Sequence, residues 1–270
     1  ARLAEARARW NEALALARQG SRKSLQSTLL NNLAAVALMT GDLAAAKRLD
    51  DESLALAQET GNRSGEGYAL HVAAQVDLAR GDVPAAKKRF ADTVALREKL
   101  GEEPGAAESR NGLAEIALEE GNADEAARLA AATLPVFVKE KDLGNEATAR
   151  MLGARALLAK GDTAGAAAEA GRAAERAEGS HNVATILAAA IESARVTAAG
   201  DPKAAISRLK ELEARARSAS LVGLEFEARL VRAQAALAAH DAGARSLFQA
   251  LAKDASAKGF GLVAKKASVK

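Results

Sequence analysis

Asn31, His71 and Asn111 recur at 40-residue intervals along the 270-residue chain, and Met151, Ala190 and Leu230 continue the row at intervals of 40, 39 and 40 residues. Four residues after each stands a second row, Ala35, Gln75, Glu115, Arg155, Ala194 and Gln234. A separation of four residues places both rows on one face if the segments are helical. The first three positions therefore offer an amide-rich strip, with Gln75 and Glu115 beside it and Tyr68, Glu108 and Arg110 flanking it. A carboxamide donates and accepts hydrogen bonds at once, so such a strip can hold the backbone of an extended peptide without reading its side chains. Asn is a poor helix former, and its return at equivalent mid-helix positions needs a reason. Ordinary polarity or bonding to the helix's own backbone is the alternative.

No grouping of residue types points to catalysis. His71, His181 and His240 fall in different repeats, without the spacing of paired metal ligands. There is no Cys, which excludes disulfides and thiolate metal sites. Gly259-Phe260-Gly261 has no preceding strand to make it a dinucleotide loop, and it reads as a helix break. Glu102-Glu103 and Glu119-Glu120 stand beside turns, as solvated carboxylates do. The chain is expected to be no enzyme, with no cofactor and no metal.

The elements that position the two rows follow from a second regularity. Gly41-Asp42, Gly81-Asp82, Gly121-Asn122, Gly161-Asp162 and Gly200-Asp201 are spaced by 40, 40, 40 and 39 residues, and His240-Asp241 follows 40 later. Periods of 20–50 residues mark solenoids and arrays. Gly can end a helix in the left-handed conformation, and the Asp or Asn after it can cap the next one. Pro84 suits a first helical turn, where its missing N–H costs nothing. Each unit is thus helix A, a tight turn, helix B and a slightly longer turn. Ala46, Ala86, Ala126, Ala166 and Ala205 lie five residues after the mark, and Ala34, Ala74, Ala114, Ala154 and Ser193 seven before it. Small residues at both places let two antiparallel helices cross closely. Phe90, Leu209 and, if Ala1 holds a turn position, Trp10 fall nine residues after the mark.

Composition agrees. Half the residues (49%) are hydrophobic, much of that Ala, and 3% are aromatic, with 4 Pro; a nearly all-helical chain follows. The net charge of +3 is concentrated at the ends, with +4 in residues 1–23 and +4 in 250–270. Without aromatics interleaved among the cations, this reads as solvated ends and not a nucleic-acid surface. No run of 18 uncharged apolar residues offers a membrane span. The start at Ala1, without Met and in mid-repeat, is that expected of an excised domain or processed fragment.

The small residue in helix A, the Gly-Asp turn and the Ala in helix B resemble the tetratricopeptide repeat (TPR) family over essentially the whole chain. The 40-residue period exceeds that family's usual 34, the Pro near the end of helix B is missing, and Ala37, Asp77, Ala117, Leu157 and Val196 stand where helix A often carries Tyr. The unit is more similar to the longer variants in kinesin light chains, Leu-Gly-Asn-type scaffolds and bacterial regulator sensor domains. The resemblance implies an all-α, right-handed superhelical solenoid of about thirteen helices in one array. Residues 1–20 would be a lone helix B, repeats would span 21–60, 61–102, 103–142, 143–179, 180–219 and 220–259, and 260–270 would be a terminal helix or cap. It also implies a concave groove lined by helix A, holding Asn31, Tyr68, His71, Gln75, Glu108, Asn111, Glu115, Met151 and Arg155. The Asn row looks like the asparagine ladder of the longer variants. A carboxylate clamp is not expected, since Arg155 is joined at the inner sites only by Arg110 or Arg150 as candidates.

The expected function is a protein-interaction scaffold holding an extended peptide or partner helix in the groove over residues 28–158. Two alternatives are a sensor module from a larger bacterial signalling protein and a self-assembly module using the exposed N-terminal helix. The partner is a protein or peptide, with no nucleic acid, and the location cytoplasmic. Two irregularities stand out. Pro135 interrupts a helix B and either kinks it or presents an exposed Phe137 to a partner. The Ala- and Gly-rich stretch from Gly161 to Gly179 is expected to make the weakest inter-repeat contact.

Overall fold

The computed structural model describes residues 2–268. Ala1, to which the repeat counts back, and residues 269–270 of the expected terminal segment lie outside the described residues. Fourteen α-helices and no strand are present among the described residues. They are α1 (Arg2–Gln19), α2 (Lys23–Met39), α3 (Leu43–Glu59), α4 (Arg63–Arg80), α5 (Val83–Lys99), α6 (Glu103–Glu119) and α7 (Ala123–Glu140). The series continues with α8 (Leu143–Ala159), α9 (Thr163–Ser180), α10 (Val183–Gly200), α11 (Pro202–Ser218), α12 (Val222–Ala238), α13 (Ala244–Ala257) and α14 (Gly261–Ser268). One helix more than the expected thirteen comes from α14. The even-numbered helices are the A helices.

The turn chemistry works as the residue types dictate. Gly41, Gly81, Gly121 and Gly161 have φ between 78° and 86°. Asp42, Asp82, Asn122, Asp162 and Asp201 each accept a backbone N–H three residues on, satisfying donors that a helix start leaves free. At the fifth mark α10 runs through Gly200, and Asp201 both ends that helix and caps the next. A second left-handed series falls midway between the first, at Ser21, Gly61, Gly101, Lys141, His181 and Ser220. The chain therefore reverses about every 20 residues, alternately within and between hairpins.

The small-residue positions are where the helices cross. Ala34, Ala74, Ala114 and Ala154 on the A helices, and Ala46, Ala86, Ala126 and Ala166 on the B helices, are wholly buried. In α9 the contact surface is built from Ala166, Ala170, Ala173 and Ala177. Pro135 lies inside α7, which continues past it to Glu140. Of the two readings of Pro135, the exposed Phe137 is overturned: its ring is completely buried, packed with Ala107 and Ala149. The residue sits two positions after the Pro on the helix face turned toward α6 and α8, so the ring fills the hairpin interface. Helix α10 has the length and a mean hydropathy (1.3) that meet the criteria for a membrane span. It carries Glu192 and Arg195 and buries Leu187 and Ile191 in an aliphatic cluster with Leu209 and Leu212.

The array closes on itself. Helix α12 touches α2, and α14 touches both α4 and α12, so the A helices of the last hairpins meet those of the first. Leu43 joins Phe226, Phe248, Leu251 and Phe260 in one cluster, with Phe226 and Phe260 edge to face at 5.2 Å. At this seam Gly41 and Gly81 are required by space as well as by φ. A Cβ on Gly41 would lie 2.8 Å from Val222, and one on Gly81 3.0 Å from the backbone of Leu262. The seam encloses the inner face of the A helices.

Candidate functional site

Two clusters of charged and polar side chains stand out. The first forms at α4, α5 and α6 around Arg97, a helix B residue only 2% exposed. A long cation fits there because Gly67 and Gly105, on the flanking A helices, leave its side chain room to pass. The guanidinium lies 4.2 Å from the centre of the half-exposed Tyr68 ring, a cation–π contact. Its Nη1 donates to Glu102 at 3.1 Å, while Nε and Nη2 have no partner. His71 Nδ1 lies 3.0 Å from Ser109 Oγ, and its ring packs edge to face with Phe90 at 5.4 Å. Burial, reinforced by the Arg97 charge, pushes the His71 pKa down to about 4, so the imidazole is neutral at physiological pH. Ser109 Oγ donates to the Gly105 carbonyl at 3.2 Å, which leaves it free to accept from His71 Nδ1–H and assigns that tautomer. Glu108 lies 4.0 Å from His71 Nε2. Burial raises its pKa and Arg97 opposes that rise.

The second cluster gathers one residue or more from each of α6, α8, α10, α12 and α14. Arg155 lies 3.5 Å from Glu119 and 3.9 Å from Glu115. Lys266 reaches Glu119 at 2.7 Å. Arg195 holds Glu192 at 3.1 Å and pairs closely with Glu227. Four carboxylates thus face three cations. Burial raises the pKa of Glu115 and Glu192, with nearby cations opposing it. Burial acts in the same direction on Glu227, but Arg195, Lys266 and Arg155 together prevail and hold it down at about 2. Glu192 Oε1 is buried with no donor, so the cluster has acceptor capacity to spare.

One turn toward the start of the same helices the face becomes apolar. A cavity of about 390 Å³ is lined by residues including Leu38, Met39, Met151, Ala188, Leu224 and Phe260. Met151 and Arg155 share a face of α8, and Ala188 and Glu192 a face of α10, each pair four residues apart. The step from cavity to charges is therefore about 6 Å along the helices.

The anticipated residues divide between these places. Tyr68, His71 and Glu108 meet at Arg97; Glu115 and Arg155 belong to the charge cluster; Met151 lines the cavity. Gln75 is exposed and Asn31 half-buried. Asn111 is only 4% exposed, accepts a 2.7 Å hydrogen bond from Thr133 Oγ1 on α7, and keeps an unpaired Nδ2. Its carboxamide oxygen is used between helices A and B. Arg97, Glu192, Arg195, Glu227 and Lys266 are additions. Arg97 carries no sequence signal, since the room for it comes from glycines on other helices. Lys266 and Glu119 stand 147 residues apart and meet only because the array closes. No cluster of three or more His, Cys, Asp or Glu is arranged to hold a metal ion among the described residues.

Residues 25–99 match the tetratricopeptide repeat family. A search of curated proteins returns no match. Among solved structures, BtubC (BKLC) from P. vanneervenii superposes with a TM-score of 0.57 at 21% identity, covering 80% of this chain and 90% of that one. A Rap protein complexed with competence and sporulation factor superposes with a TM-score of 0.64 at 15% identity, covering 96% and 77%. At these identities the likeness is one of fold.

Proposed function

From the premise of a tetratricopeptide-type array, we propose that this chain is a non-catalytic protein-interaction scaffold that holds an extended peptide against the enclosed inner face of its A helices. The observation that carries the reading is the adjacency, on α8 and α10, of an apolar cavity and a mixed-charge cluster with unused acceptor capacity. A side chain of the peptide would fill the cavity, and its neighbours would reach Glu115, Arg155 and Glu192. Tyr68, Gln75 and Glu108 extend the same face toward α4 and α6. Asn31 is the remaining candidate for an amide that reads peptide backbone, because the Asn111 oxygen already has Thr133.

The test is a peptide library selected against the array, with a photo-crosslinker carried by the peptides. Enriched peptides should cross-link to α6 or α8, and Arg155→Ala should weaken them at least tenfold. Cross-links confined to the B helices, or unchanged binding by the variant, would refute the assignment. A second reading, a sensor module within a larger signalling protein, draws support from the Rap protein, solved with competence and sporulation factor, whose fold spans 96% of this chain. Ligand-dependent protection of α12 and α14 in hydrogen exchange would favour it. An exchange pattern indifferent to the selected peptide would count against it.

A further inference from the structure

The seam that closes the array forms a second cavity, of about 500 Å³, outside the inner face. Three separated stretches build it: α3, the end of α4, and the turn between α13 and α14. Its lining carries Lys47, Arg48, Arg80 and Lys258 against a single carboxylate, Asp51. Asp51 is already held by Lys47 at 2.8 Å. Arg48, Arg80 and Lys258 have no ion-pair partner among the described residues, although many exposed cations elsewhere on the molecule do. Leu43 and Ala44 add aliphatic surface beside the charges.

We propose that this cavity binds a small organic phosphate carrying at least two negative charges. Guanidinium groups match phosphate oxygens with paired N–H donors, and Lys258 adds a point charge from the facing side. The volume falls in the range of small-molecule sites, roughly 300–1,000 Å³, and Leu43 and Ala44 give the organic part something to rest on. Arg48 and Arg80 come from the first hairpins and Lys258 from the last, so an anion bridging them fastens the seam. The site is independent of the peptide reading, which uses the inner face.

The experiment titrates the whole chain with inorganic pyrophosphate and with adenosine diphosphate at constant ionic strength. It is read by calorimetry and by thermal melting. Saturable binding with a rise in Tm is expected, with adenosine diphosphate at least as tight as pyrophosphate. Arg80→Gln and Lys258→Gln each should weaken binding at least tenfold, whereas Lys265→Gln, an exposed cation outside the cavity, should leave it unchanged. These positions are exposed, and a retained helical spectrum confirms the fold. Absence of saturable binding, equal weakening by Lys265→Gln, or a single-stranded oligonucleotide binding more tightly per charge than either ligand would overturn the proposal.

Discussion

Asp50 and Leu209 occupy the same place in their hairpins, nine residues after the turn mark, and both are buried, at 2% and 0% exposure. Leu209 belongs to an aliphatic cluster with Leu187, Ile191 and Leu212. Asp50 has a buried Oδ1 with no hydrogen-bond partner, and burial, aided by Asp51, pushes its pKa up to about 8. The contrast extends to the regions around them. The early hairpins add polar pairs to apolar clusters around Leu30 and Phe90: Ser27 Oγ donates to the Ser53 carbonyl at 2.9 Å, Ser53 Oγ donates back to the Ser27 carbonyl at 2.8 Å, and Thr133 donates to Asn111. The late hairpins use Leu, Ile and Phe. One backbone repeat thus tolerates two kinds of interior. The polar kind gains less from burial, because hydrogen bonds made on folding replace those to water. In a repeat array stability is close to a sum over units and their interfaces, so loss of a polar pair and loss of an aliphatic contact should weaken their own hairpins by different amounts.

Four measurements can break or sharpen this contrast. Leu209→Ala should cost about 3–5 kcal/mol, the range for a large aliphatic lost from a packed core, read by denaturant unfolding. A smaller loss than that from Ala substitution at Ser53 would reverse the comparison. Asp50→Asn should stabilise by about 2–4 kcal/mol at pH 8, an estimate from the raised pKa. A carboxyl whose folded pKa is raised contributes stability that is complete below its unfolded pKa and is lost as pH climbs through the folded value. The gain from Asp50→Asn should therefore grow from pH 4 to pH 8 and then level off; a gain largest at pH 4 would contradict the assignment. Thr133→Val should cost about 1–3 kcal/mol, since the Asn111 carboxamide would then be buried without any partner, and Asn111→Leu added to it should recover part of the loss. The smallest effect, below about 1 kcal/mol, belongs to Lys266→Gln, whose partner Glu119 sits near the seam; it should shrink further in high salt.

What the chain discloses in advance is local. Turns and caps are written within a few residues, so Gly81, Asp82 and Pro84 specify one reversal by themselves, and repetition does the rest. The crossing points Ala74 and Ala86 are equally legible, because close packing demands small residues wherever the helices meet. Burial of a polar group is different: whether Asn111 faces the inner space or Thr133 depends on a rotation of the helix that polarity alone does not fix. Phe137 was ambiguous for the same reason, with a Pro nearby that reads equally as an interruption or as a tolerated interior residue. The meeting of Glu119 with Lys266 depends on the rise and rotation summed over several hairpins, a quantity no single motif encodes.

The close approach of Gly41 to Val222 and of Gly81 to Leu262 has a consequence for repeat number. Helical arrays commonly lengthen or shorten by gain or loss of whole units, because each unit touches only its neighbours. Here the third and fourth turn glycines, Gly121 and Gly161, have open space around them, whereas the first two are matched to segments 181 residues downstream. Duplicating or deleting one internal hairpin would carry those segments past their counterparts and pull the two ends out of register. The closure therefore fixes the number of copies, and deletion of one internal hairpin should cost the contacts of α12 with α2 and of α14 with α4.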